Sequence, residues 1–178
     1  NYPKNIHPYA QSNLVGENSV LKKLDKSNNF VGIVLRLSNV IGAPIFKDSE
    51  GWSLVVNNLC LQAVKNKKIT LNTDGQQARD FISFTHLKKI INRCCEENID
   101  SDVYNVGSGS SISILSMANR VKKLCSEMYS FSPSLIVGRK SQNKNNNFIY
   151  STARKVNFFM DSSSEINNEI RKILHYLA

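Results

Sequence analysis

Acidic residues are scarce in this sequence, and a glycine-rich phosphate loop is missing. Fourteen Asp and Glu stand against 23 Lys and Arg, a formal net charge of +9. Such a surplus bears on solubility and on anionic partners more than on fold. The cations are scattered in short groups, at Lys22–Lys23, between Lys65 and Lys68, at Lys88–Lys89 and at Lys122–Lys123, each suited to the wet face of a helix. None is interleaved with aromatics. No nucleic acid is therefore expected as a partner, and a basic nucleic-acid-binding module ranks last among the readings.

Cysteine is limited to Cys60, Cys94, Cys95 and Cys125, with no metal-ligand spacing. Buried reduced thiols, with no metal, are the expectation. No apolar run is long enough to cross a membrane. No secretory leader is visible, so the expected location is cytoplasmic. No internal repeat appears, and no Gly-x-Gly-x-x-Gly follows a strand-like run. Gly107-Ser108-Gly109 lacks the later glycine and the downstream acidic partner, so the chain cannot hold a dinucleotide pyrophosphate by that route alone. The chain starts at Asn1 rather than Met, and a piece of a longer protein is the expectation.

What remains is a chain of 178 residues, 41% hydrophobic, enough for one domain or one lobe of a two-lobe enzyme. Tyr9 to Lys26 has helical spacing, with Leu14, Leu21 and Leu24 on one side. Phe30 to Leu37 is a β-branched apolar run that reads as a buried parallel strand. Ser38 to Glu50 reads as a loop, and Trp52 to Lys65 as a helix in which Trp52 packs. Short strands are expected at Ile69–Leu71, Phe81–Phe84, Val103–Val106 and Leu135–Val137. Leu87, Ile90, Ile91, Cys94 and Cys95 recur at helical spacing, with Thr85 as the expected cap and the two thiols in the core. His86 stands at the start of that helix and reads as a variant there, not a catalyst; His7 and His175 are expected at the surface. Ser113 can cap a helix running to Met128. Gly138 to Asn147 is polar and reads as a loop. Ser162 to Ser164 can cap a last helix ending near Leu177. Strands alternating with helices argue an α/β fold.

Four segments, in order, carry a resemblance. They are Pro8-Tyr9-Ala10-Gln11-Ser12-Asn13 followed by Glu17, Leu35-Arg36-Leu37-Ser38-Asn39-Val40-Ile41-Gly42-Ala43-Pro44, Asp74-Gly75-Gln76-Gln77-Ala78-Arg79-Asp80-Phe81, and Val103-Tyr104-Asn105-Val106-Gly107-Ser108-Gly109. Together they resemble the NAD-dependent epimerase/dehydratases of the extended short-chain dehydrogenase/reductases, in their C-terminal half only. The resemblance implies a partial Rossmann-like sheet in residues 1–44, a mainly substrate-binding α/β lobe in 45–178, and an absent N-terminal cofactor-binding half. It implies NAD or NADP as cofactor, a nucleotide-diphosphate sugar as substrate and a homodimer. A fragment alone is expected to be inactive and to expose apolar surface.

In such enzymes the cofactor does the redox work while the protein orients the sugar and moves a proton. A free phenol titrates near pH ~10 and is a poor base at neutrality. A Lys one helical turn after the Tyr normally helps by favouring the phenolate. Here that position is Asn13. Tyr9 is thus the catalytic candidate but a compromised base, and Tyr9 and Asn13 together are the cofactor-contact candidates. The alternative is a non-catalytic relative that binds a nucleotide sugar. By the same resemblance Asn39, at the carboxyl end of a strand where α/β ligands bind, would donate a hydrogen bond to substrate. Arg79 would grip phosphate with its planar fork, and Arg139 would add a second contact to the nucleotide. Asp80 and Phe81 read as structural.

Overall fold

The computed structural model describes residues 7–24, 31–46, 48–139 and 163–178. Helix α1 (Pro8–Leu24) opens on a proline, whose missing N–H is not needed in a first turn. Its apolar residues Leu14, Leu21 and Leu24 are half-buried, and none of its residues is buried. A two-pronged ion pair from Arg36 to Glu17 fastens it to strand β1 (Ile33–Leu37). That strand pairs in parallel with β5 (Asp102–Val106), in the register Leu35 to Tyr104. The parallel assignment holds, but the strand is shorter than Phe30 to Leu37 and is not buried. Leu37 is 42% exposed, because among the described residues β5 is the only strand beside it and α1 covers it lightly.

The expected loop after β1 contains structure. Ser38 N–H donates to the Val106 carbonyl, and the chain then enters β2 (Asn39–Ile41), which pairs in parallel with β4 (Ala78–Ser83). On its other edge β4 pairs antiparallel with β6 (Ser111–Ser113). Trp52 lies in a single 3₁₀ turn, Glu50–Ser53, stacked on Tyr176 with ring centroids 5.9 Å apart. Helix α2 (Val55–Lys65) follows, then β3 (Lys68–Thr73), which pairs in parallel with β7 (Ser134–Arg139).

Helix α3 (Phe84–Glu96) is capped by Ser83, whose Oγ accepts from the His86 N–H at 2.9 Å. Thr85 is not the cap, because β4 continues to Ser83. The Thr85 hydroxyl donates instead to Glu169 at 2.7 Å. Among the described residues only one side of α3 meets protein. Leu87 and Ile90 are buried, but Cys94 is half-buried and Cys95 is exposed, since a further 100° of helix rotation carries Cys95 off the buried side. The expectation that both are core thiols is corrected; Cys60 and Cys125 are the buried pair.

Helix α4 (Ile114–Met128) starts at the Ser113 cap, as its sequence predicts, with Oγ accepting from Ser116 N–H. Helix α5 is Ser163–Leu177. The expected loop at 138–147 is corrected at its start, since Gly138 and Arg139 belong to β7; the remainder lies outside the described residues, as does Ser162. The larger core joins α2, α4 and α5 to β3 and β4 through Leu59, Ile69, Phe81, Met117, Val121, Ile170 and Leu174. A smaller core joins α3 to β4 and β5 through Ile82, Ile90, Tyr104 and Val106. The architecture is mixed α/β, with short parallel pairings as the repeated unit.

Candidate functional site

The parallel pairing of β2 with β4 sets Asn39 opposite Phe81, so Asn39 and Arg79 reach the same side of the molecule. Both line a concavity of about 650 Å³. Tyr9 of α1 forms one wall, and Ser53, Leu54, Val55, Val56 and Asn57 form another. Tyr9, Asn39 and Arg79 thus line one concavity.

The Arg79 guanidinium is half-buried and has no hydrogen bond or ion pair with the described residues. Its neighbour Asp80 does not neutralise it. The Asp80 carboxylate is fully buried and accepts from Ser108 N–H and Ser108 Oγ, each at 2.9 Å. A strand sends successive side chains to opposite faces, so Arg79 and Asp80 part company. The Asp80 carbonyl accepts from Asn39 Nδ2 at 2.8 Å. One Asn39 N–H is thereby taken up by the backbone, leaving the other and the side-chain oxygen for a ligand.

Helix α2 begins at this concavity. No side chain caps its first turn, and Leu54, Val55 and Val56 line the wall. Free N–H groups and the positive end of the helix dipole favour an anion there. The third residue of α2, Asn57, is 2% exposed and donates through Nδ2 to the carbonyls of Gly42 at 2.9 Å and Gly51 at 3.0 Å. Sequence reasoning passed over Asn57. The signal was available: a polar side chain beside Val56, Leu59 and Cys60 on the buried stripe of a helix.

A second concavity, about 900 Å³, lies between α1 and β1 and shares Tyr9 with the first. Asn13 lines it, donating through Nδ2 to the Tyr9 carbonyl at 3.2 Å. Arg36, the one cation among the described residues lining it, is engaged by Glu17. That bond holds the Glu17 carboxyl below its usual range. Tyr9 is 75% exposed between the two spaces. Arg139 is not brought to either. It stands exposed at the end of β7, opposite Thr73. His86 lines neither space and is buried near Glu165, with Nδ1 3.7 Å from Oε2, in keeping with a structural role. His7 and His175 are exposed, as expected. Among the described residues no helix is long and apolar enough to cross a membrane and no group of side chains could hold a metal.

Comparison with known proteins returns the same family as the motifs. The putative UDP-glucose 4-epimerase of Methanocaldococcus jannaschii is 28% identical over 123 residues, 68% of this chain and 39% of that protein. RMD of Pseudomonas aeruginosa, solved with NADPH, superposes with a TM-score of 0.75 at 20% identity, covering 98% of this chain and 56% of that one. The UDP-N-acetylglucosamine 4-epimerase of Methanobrevibacter ruminantium, solved with UDP-N-acetylmuramic acid, gives 0.72 at 20% identity over 98% and 54%. The chain thus spans about half the length of these structures. At such identities the structures establish shared fold. The model of the NAD dependent epimerase/dehydratase family matches residues 1–107, a stretch containing Tyr9, Asn39, Arg79 and the β1–β5 pairing, and the chain belongs to that family.

Proposed function

We propose that this chain forms the nucleotide-sugar-binding part of an NAD(P)-dependent epimerase or dehydratase. In this reading residues 1–44 belong with a Rossmann-like cofactor domain and 45–178 are mainly the substrate lobe. The observation that carries it is the Arg79 guanidinium, unpaired among the described residues and set in one concavity with Asn39, Tyr9 and the uncapped start of α2. A guanidinium fork and a helix N-terminus both select a diphosphate. Asn39 would hold the adjoining sugar or phosphate through its remaining N–H or its side-chain oxygen. Tyr9, shared by the two concavities, would exchange a proton with a sugar hydroxyl. NAD or NADP supplies hydride acceptance and return when bound. The α1–β1 concavity offers it the Tyr9 hydroxyl and the Asn13 amide, but this chain carries no loop for its pyrophosphate. Homodimerisation through α1, none of whose residues is buried, accompanies this reading.

Calorimetric titration of the full-length protein with UDP-glucose and UDP tests it. Arg79→Leu should weaken both by about 10- to 100-fold, the worth of a charge-assisted hydrogen bond. Unchanged affinity would refute the assignment. A second reading, binding without turnover, is favoured by Asn13, which brings no charge to Tyr9, and by Arg36, which is engaged with Glu17. Binding of UDP-glucose with no epimerisation or dehydration by the NAD-loaded full-length protein would select it.

A further inference from the structure

We infer that Asn57 is a specificity-determining residue, a fixed acceptor that receives an N–H or O–H of the bound nucleotide sugar beside the anion held by Arg79; this rests on the function proposed above. The argument begins with the amide. Nδ2 faces two backbone carbonyls, Gly42 O at 2.9 Å and Gly51 O at 3.0 Å. A carbonyl oxygen can only accept, so both must face the NH₂ group. The flipped amide would set oxygen against two oxygens. Both N–H donors are consumed and the orientation is locked.

The oxygen Oδ1 is then the group left over. The Asn57 side chain makes no other hydrogen bond with the described residues, and Oδ1 is not among the described buried atoms sealed from solvent without a partner. The side chain lines the Arg79 concavity although the residue is 98% covered. A polar atom held so rigidly, in a residue that lines the concavity, is matched to a donor and mismatched to an acceptor. The two carbonyls lie on the segments flanking the concavity, after β2 and in the 3₁₀ turn, so the same residue keeps its walls at a fixed spacing.

The test uses full-length protein and three probes: inorganic pyrophosphate, UDP and UDP-glucose. Pyrophosphate offers charge without the N–H and hydroxyl donors of the base and sugars. Asn57→Ala should weaken UDP-glucose binding by about three- to tenfold while pyrophosphate changes by less than about twofold. A loss already complete with UDP places the donor on the base or ribose; a loss appearing only with UDP-glucose places it on the hexose. Equal losses for all three probes would make Asn57 a wall tie only, and no loss would make it idle; either overturns the inference. Should Asn57→Ala fail to fold, the wild-type protein is titrated with UDP-glucose analogues methylated at the base N–H or lacking single hydroxyls. One must then lose about three- to tenfold, and uniform affinity overturns the inference. If the wild type binds none of the three probes, the proposed function falls and takes this inference with it. If Arg79→Leu loses UDP while Asn57→Ala is silent, only the inference falls.

Discussion

Removing the Asp80 carboxylate tests the tie between β4 and the turn after β5. In Asp80→Ala, Ser108 loses two acceptors at 2.9 Å. Its N–H is stranded in a site where Ser108 is 7% exposed. A buried donor left unpaired costs about 1–3 kcal/mol, and the void left by the carboxylate adds to it. The Ser108 hydroxyl recovers part of the loss, since Ser110 O lies 2.9 Å away. The expected total is about 2–4 kcal/mol, or roughly 5–15 °C in Tm for a chain of this length. Asp80→Asn should behave differently. Its side-chain oxygen can still accept from Ser108 N–H, and its amide can donate to Ser108 Oγ. The hydroxyl proton, which in the wild type can satisfy only one of Asp80 and Ser110, is then free for Ser110. No cation pairs with Asp80 among the described residues, so the change also removes an isolated buried charge. The Asn variant should fall within about 1 kcal/mol of wild type. Urea denaturation with unchanged m-value measures both. Equal costs for Ala and Asn, or a cost below about 1 kcal/mol for Ala, would refute the reasoning.

Three further outcomes follow from the geometry. Asn13→Lys sets an ammonium one turn from Tyr9 and should raise turnover of the full-length protein by about 100-fold near neutral pH, the lower end of general-base effects; an unchanged rate counts against Tyr9 as the base. Glu17 has its pKa lowered from 4.5 by Arg36, so its contribution is complete above 4.5 and fades as pH falls through the lowered value. The protection factors of α1 amides, the intrinsic rate at each pH divided by the observed exchange rate, should therefore fall on acidification below about 4.5 in wild type but not in Glu17→Gln, and parallel profiles would contradict the tether. At Gly138 an added Cβ would lie 2.3 Å from Asn72 O, across the β3–β7 pairing, so Gly138→Ala should cost about 1–3 kcal/mol in urea unfolding; an unmoved midpoint would show the strands can part without penalty.

The parts of this fold that announce themselves in the sequence are those whose partners lie on one face. Helices α4 and α5 bury Met117, Val121, Ile170 and Ile173 as a stripe, and the stripe is visible as spacing. Strands β2 and β6 escape notice for the opposite reason. Each is three residues long, and each owes its conformation to β4, a neighbour far away in sequence. Thr85 looks like a cap and is not, because where β4 ends is decided by its pairing and not by α3's own residues. Tyr9, Asn39 and Arg79 could be found because they sit in ordered motifs. Asn57 could not be found that way, since its meaning lies in two carbonyls reached only when the segments after β2 and before α2 come together.

The charge of the candidate site rests on one strand register. Arg79 and Asp80 are adjacent and both line the concavity, but a strand sends their side chains to opposite faces and the Asp80 carboxylate is taken up by Ser108. A slip of β4 by one residue would exchange them, presenting a carboxylate to the anion site and burying a guanidinium beside Ser108. Three contacts resist that slip. Asn39 pairs with Phe81 in the ladder, Asn39 Nδ2 donates to the Asp80 carbonyl, and Arg79 pairs with Ile112 on the opposite edge. In the proposed function Asn39 would therefore act twice, as a ligand-facing amide and as the pin that keeps Arg79 pointing inward. Its replacement should then weaken diphosphate binding even where Asn39 itself does not touch the phosphate.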